Sequence, residues 1–87
     1  MWTDVRWDDW NTAHVARHGV TEEEVDDVVL DRGSLHLRSR AGTYVVLGLT
    51  SAGRHLFVVV ASAPDGEVYP ITARPLTASD RRRWERR

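Results

Sequence analysis

The stretch from residue 53 to residue 75 constrains the fold more than any other part of the chain. It reads GRHLFVVVASAPDGEVYPITARP, and residues 56–61 form an unbroken apolar run rich in β-branched side chains. Such a run is typical of a strand at the centre of a sheet. Pro64-Asp65-Gly66 has the composition of a turn, and residues 67–73 form a second strand that ends on Arg74-Pro75. We therefore predict a central hairpin on which the rest of the chain packs.

Two helices are predicted before this hairpin. The first covers residues 10–18, with Asp8 or Asp9 in the N-cap position and Gly19 at the end, where a left-handed conformation is easily adopted. The second is the more strongly indicated. Thr21 and Glu24 have the spacing of a capping box, and three valines follow at helical spacing to form one apolar stripe: Val25, Val28 and Val29.

The remaining strands either alternate apolar with polar residues or consist of a nearly continuous apolar run. A short strand is predicted within residues 2–7, and two more at residues 34–40 and 43–49. A short basic helix that reaches Arg87 is predicted at the end. The predicted order is β-α-α-β-β-β-β-α. This is one α+β domain over residues 1–87, with a twisted antiparallel sheet, two N-terminal helices on one face and a short basic C-terminal helix.

Charge is distributed unevenly along the 87 residues. The first 31 carry nine acidic residues and two arginines, a net charge of −7, whereas residues 32–87 carry ten arginines and four acids, a net charge of +6. This asymmetry indicates one surface for a phosphate-bearing partner and another for a basic partner, or pairing of the two halves within the chain. The chain has no cysteine, which excludes disulfides and thiolate chemistry. No stretch is long and apolar enough to predict a membrane span or a secretory signal, so we expect a cytoplasmic protein without membrane contact.

The order of several short motifs resembles the BrnT family of small bacterial type II toxins. Trp7-Asp8 is followed by a helix ending in His18-Gly19-Val20, and Thr21-Glu22-Glu23 opens the next helix. The second half also agrees with the family's order, and its motifs are Val45-Val46-Leu47-Gly48, Gly53-Arg54, Ile71-Thr72-Ala73-Arg74 and an arginine-rich tail. The resemblance covers nearly the whole chain.

This resemblance implies a RelE-like fold and a function. The expected activity is that of a ribonuclease that acts on mRNA or ribosome-associated RNA, blocks translation and is neutralised by a cognate antitoxin protein. The antitoxin, rather than the toxin, would contact DNA. Leu49 and Tyr69 stand where the family tends to carry basic residues, so the alternative is a catalytically inactive RelE-like domain that only binds a protein partner.

Metal-free RNA cleavage by the 2′-hydroxyl needs a cation to stabilise the phosphorane and a group that transfers a proton. Arg54 and Arg74 are the candidates for the first role, because a guanidinium grips two phosphate oxygens and stays charged. His55 is the main candidate for proton transfer, with His36 as a second. The alternative for Arg74 is an ion pair with a carboxylate or a helix cap, and for His55 an ordinary position on a half-exposed strand.

Further residues are candidates for holding RNA without taking part in the chemistry. Tyr69 is predicted to stack on a base, and the four tryptophans either stack or, as we expect, pack in the core. His14 and His18 are spaced for one helix face but lack a third ligand, so no metal or other cofactor is expected. A simple nucleic-acid-binding module that uses the arginine-rich tail is a third hypothesis. The arginines expected to contact RNA are Arg38, Arg40, Arg81, Arg82 and Arg83.

Overall fold

A computed structural model describes residues 2–87, and within them the chain forms five strands and three helices. The central elements are the long antiparallel strands of the predicted hairpin and the strand before it. In chain order, the elements are β1 (Asp4–Val5), α1 (Asp9–Ala16), α2 (Glu22–Val29), β2 (Leu35–Arg38), β3 (Thr43–Leu49), β4 (His55–Ser62), β5 (Glu67–Pro75) and α3 (Ala78–Glu85). This is the α+β class that the sequence predicts. No helix within residues 2–87 has the length and apolar character needed to cross a membrane.

The five strands form one sheet in the order β1-β5-β4-β3-β2. The pairs from β2 to β5 are antiparallel, but β1 pairs in parallel with β5 through Asp4 and Val5. The sheet is therefore mixed, and the prediction of a wholly antiparallel sheet was wrong at this edge. No hairpin joins β1 to β5, so nothing local fixes their relative direction, and a two-residue strand carries no pattern that identifies its partner.

All three helices begin with a reciprocal capping box. Asp8, Thr21 and Thr77 are the N-caps. The side chain of each accepts a hydrogen bond from the backbone N–H of the third helical residue, and the side chain of that residue accepts one from the backbone N–H of the N-cap. The predicted capping box that opens α2 is confirmed. At the first helix, Asp8 rather than Asp9 is the cap. The loop before β5 is also confirmed as a tight turn, with Asp65 and Gly66 both at positive φ.

The core lies between α1, α2 and one face of the sheet, which we call the α1/α2 face. It contains the valine stripe of α2, Val15 of α1, and inward side chains of β3, β4 and β5 such as Val46, Val58 and Ala73. Ser34 and Gly48 allow α2 to approach the sheet closely. A Cβ atom at Gly48 would lie 2.2 Å from the Ser34 Oγ, which donates a hydrogen bond to the Val28 carbonyl at 2.6 Å.

A β-bulge decides which side chains of β5 face the core. Between Val59 and Val60 of β4 the register shifts, so Val60 pairs with Pro70 while Val59 pairs with Thr72, and Ile71 is the extra residue. Because side chains alternate between faces, one extra residue reverses every later position. Ala73 thereby enters the core and Arg74 moves to the opposite face, which we call the α3 face because α3 packs there.

Candidate functional site

Arg74 lies on the α3 face near the end of β5, directly opposite Phe57 on β4. Its guanidinium carbon is 3.9 Å from the centre of the Phe57 ring, and its Nη1 donates hydrogen bonds to the Asp80 carboxylate at 2.6 Å and the Pro75 carbonyl at 3.1 Å. About a third of the side chain is exposed. Arg74 is thus held in one orientation by β5, Phe57 and α3, with part of its guanidinium facing solvent.

Asp80 links this arginine to the start of α3. The same carboxylate oxygen that binds Arg74 accepts the backbone N–H of Thr77 at 2.9 Å. Partial burial raises the pKa of Asp80, but the bonds from Arg74 and Thr77 outweigh it and hold the pKa below its ordinary value. Asp80 is therefore ionised at neutral pH. The alternative role given to Arg74, an ion pair with a helix-capping carboxylate, is present in the structure.

His55 lies on the same face as Arg74, at the beginning of β4. Its ring meets that of Trp84 edge to face, with 6.1 Å between centroids. Partial burial and the nearby Arg81 lower the pKa of His55. The imidazole is consequently neutral at pH 7 and has a nitrogen able to accept a proton. Phe57 is directly opposite Arg74, and His55 lies two residues before Phe57 on the same face of β4. His55 and Arg74 are therefore diagonal neighbours on the α3 face.

The three arginines of α3 face different directions. Arg81 forms an exposed ion pair with Glu85 at 3.8 Å and lies near His55. Arg83 faces the sheet and lines a cleft together with Asp80 and Phe57. Arg82 is exposed and does not line that cleft. Trp84, only 7% exposed, is the apolar side chain that anchors α3 on this face.

Arg54 is not brought together with Arg74. It precedes β4 and, by the alternation of the strand, belongs to the α1/α2 face. Its Nη1 donates to the Gly19 carbonyl at 2.8 Å and to both carboxylate oxygens of Glu24 at 3.1 Å. Partial burial raises the pKa of Glu24, but the bonds from Thr21 and Arg54 lower it further than burial raises it. The structure thus gives Arg54 a contact that joins the end of α1 to the start of α2.

Three other candidates lie away from Arg74. Tyr69 is opposite Ala61, four residues along β4 from the partner of Arg74, or about 13 Å at the rise of a strand. Its hydroxyl donates to the Asp8 carboxylate at 2.9 Å, so Tyr69 supports the N-cap of α1. Arg38, on the edge strand β2, is the nearest of the three, because it lines the cleft that Phe57, Asp80 and Arg83 also line. Arg40 is exposed in the following loop.

The aromatic residues divide as the packing interpretation predicts, with one exception. Trp2 and Trp7 pack against the core, and Trp7 also donates its indole N–H to Asp26 at 2.9 Å. Trp10 is the exception, since it is 56% exposed and stacks on His14 with 4.9 Å between ring centroids. Within residues 2–87, no three histidine or carboxylate side chains are grouped as a metal would need.

Asn11 is an important residue that the sequence analysis did not single out. It is fully buried in α1, and its Nδ2 donates to the carbonyls of Arg6 and Pro70, both at 3.0 Å, while its Oδ1 accepts the Asp8 backbone N–H at 2.8 Å. One side chain therefore joins α1 to β5. A signal was present, because an asparagine three residues after an aspartate N-cap can complete a capping box.

Comparison with known proteins provides no further assignment. No protein-family model matches the chain, and no curated protein matches it.

Proposed function

We propose that this protein is a toxin-type ribonuclease of the BrnT kind, with a RelE-like fold, which acts on RNA at the α3 face in the cytoplasm and is neutralised by an antitoxin protein. The observation that supports this proposal most is the placement of Arg74 and His55 on one face beside the arginines of α3. A cation held at a strand end, a neutral imidazole and a basic helix are the groups that metal-free cleavage needs.

The roles follow from the positions of these groups. The Arg74 guanidinium would bind the phosphate that gains charge in the transition state, and His55 would accept the proton of the attacking 2′-hydroxyl. As the bond from the 2′-oxygen to phosphorus forms, the bond to the 5′-oxygen breaks, and the leaving 5′-oxygen takes a proton from water. Arg81 and Arg83 would hold the RNA backbone by charge, so binding should weaken with salt. Arg54, Tyr69, Arg38 and Arg40 are not needed in this arrangement.

RNA binding by the purified protein tests the first part of the proposal. Single-stranded RNA with a fluorescent end label would be titrated with the wild type, with Arg74→Ala and with Arg17→Ala. The last is the matched control, because it removes one exposed arginine just after α1, a helix that packs on the opposite face of the sheet from α3. We expect weaker binding for Arg74→Ala alone. Equal binding by all three proteins would contradict the proposed RNA site.

The second candidate function is that of a catalytically inactive domain that binds a protein partner. The observation that favours it is the pairing of both predicted catalytic arginines, Arg54 with Glu24 and Arg74 with Asp80. An arginine neutralised by a carboxylate stabilises a phosphorane less well than a free one. This candidate predicts that the wild type cleaves no RNA, either free or on ribosomes, and causes no growth arrest when expressed.

A further inference from the structure

A groove runs along the α3 face between the helix and the outer strands β2 and β3. It consists of two adjoining clefts of about 260 Å³ and 340 Å³, which share Leu37 and Arg83. Leu35, Leu37 and Val45 are half-buried side chains on its floor. The rim on the side of α3 carries three arginines, one on the helix and two just after it: Arg83, Arg86 and Arg87. Asp80, which is paired with Arg74, and Arg38 of β2 also line the first cleft.

The floor of this groove is suited to aliphatic side chains rather than to bases. A base needs an aromatic or guanidinium plane on which to stack. Phe57 is the one aromatic residue that lines the two clefts, and the Arg74 guanidinium lies over its ring. The Arg87 guanidinium is likewise placed against Trp84, 3.5 Å from the ring centre. Covering leucine and valine side chains with a ligand, in contrast, contributes about 25 cal/mol of favourable free energy for each Å² of apolar surface removed from water.

The rim is suited to carboxylates. Arg83 and Arg86 form no ion pair with any residue in the part of the chain that the structure describes. Each guanidinium therefore remains available for two parallel hydrogen bonds to a carboxylate. An apolar floor beside a row of unpaired arginines is complementary to a segment that carries leucines on one side and glutamates or aspartates on the other.

We propose that this groove binds an acidic, leucine-bearing segment of a partner polypeptide. A second copy of this chain supplies such a segment only poorly, because Leu30 is the single exposed leucine among the described residues, at 43%, and no other leucine accompanies it on the acidic helix. Its acidic helix, α2, already buries its apolar stripe in its own core, where Val25, Val28 and Val29 are at most 2% exposed. The partner would be the antitoxin if the proposed function holds, and the inference rests on that function for the partner's identity. Because Arg83 borders both surfaces, a bound segment would hinder RNA at the α3 face.

A designed peptide tests this groove directly. The probe is a short fluorescent peptide made only of leucine and glutamate, with leucines at helical spacing. It would be titrated with the full-length wild type, Arg86→Glu, Arg82→Glu and Leu37→Thr, all first shown to be folded by circular dichroism. Arg82→Glu is the matched control, because it changes the same charge on the same helix outside the groove. Two further peptides replace either all leucines by serine or all glutamates by lysine.

We expect Arg86→Glu and Leu37→Thr each to weaken binding about fivefold, the effect of about 1 kcal/mol, whereas Arg82→Glu has little effect. Neither altered peptide should bind as tightly as the first. Equal weakening by Arg82→Glu and Arg86→Glu, equal binding of the serine peptide, or no binding of the first peptide would overturn the proposal. The groove would be reassigned to RNA if single-stranded RNA displaced the bound peptide and Leu37→Thr also weakened the binding of that RNA. No outcome depends on nuclease activity, so the groove and the proposed function can fail separately.

Discussion

The Arg74 guanidinium and the Asp80 carboxylate are 2.6 Å apart and join the last strand to the last helix. The contact has two consequences. It orients Arg74 and fixes the first turn of α3, and it also neutralises part of the charge that a phosphate would need. The same ion pair thus supports the arrangement of the α3 face and limits its affinity for anions.

Replacing Asp80 by asparagine should separate these two consequences. We expect Asp80→Asn to lower the free energy of unfolding by about 1 kcal/mol, because a helix-capping charge and a partly exposed ion pair are lost. RNA should bind more tightly, since Arg74 becomes available. Chemical denaturation and RNA titration measure the two effects. Asp4→Asn is the control, because it removes an equal charge from an exposed position of β1, away from Arg74 and from the arginines of α3. Weaker RNA binding by Asp80→Asn would show that Asp80 acts by orienting Arg74.

Arg54 should act on stability rather than on activity. We expect Arg54→Ala to lower the free energy of unfolding by about 1–2 kcal/mol, because bonds to the Gly19 carbonyl and the partly exposed Glu24 are lost. RNA binding per folded molecule should not change. Denaturant titration together with RNA binding measures both quantities. A large loss of RNA binding in a stable Arg54→Ala protein would restore the original prediction of Arg54 as a site residue.

Asn11 should be among the most sensitive positions in α1. Asn11→Ala leaves the buried Pro70 carbonyl without its side-chain donor and removes half of the capping box. The expected loss is about 2–4 kcal/mol in the free energy of unfolding. Ala13→Gly, at an exposed position of the same helix, should cost only about 1 kcal/mol. Similar losses for the two variants would mean that the contact between α1 and β5 contributes little.

Stability should fall on acidification in two stages. The pKa of His55 is lowered from its ordinary 6.5, so below that pH the unfolded chain takes up a proton that the folded chain does not. Glu24 and Asp80 also have lowered pKa values, and their contribution is lost as the pH falls below their ordinary 4.5 and 3.8. Burial raises the pKa of Asp26, which opposes this second stage. Burial also lowers the pKa of His36, which contributes to the first stage. Melting temperatures across this range test the prediction, and His55→Gln should reduce the first stage and leave the second unchanged. A melting temperature that rises between neutral pH and pH 5 would contradict it.

Local sequence patterns were sufficient to predict most of the fold. The capping residues, the valine stripe and the turn at Pro64-Asp65-Gly66 depend on neighbours a few positions away, so their spacing identifies them. The parallel pairing of β1 and the bulge at Ile71 depend on contacts between distant parts of the chain. The candidate site was less predictable for the same reason. The sequence predicted that Arg54, Tyr69 and Arg74 all serve one RNA site. The bulge instead moves Arg74 to the face opposite Arg54, and the length of the strands separates Arg74 from Tyr69.

RNA cleavage is the measurement that tests the central proposal most directly. Wild type, Arg74→Ala and the control Arg17→Ala would be incubated with total RNA and, separately, with translating ribosomes, in the presence of EDTA, and the RNA would be separated on a gel. We expect the wild type and Arg17→Ala to cleave RNA in at least one of these two substrates. RNA incubated with Arg74→Ala, once this variant is shown to be folded, should stay intact. Intact RNA in every wild-type lane, or equal cleavage by Arg74→Ala, would contradict a ribonuclease site at the α3 face.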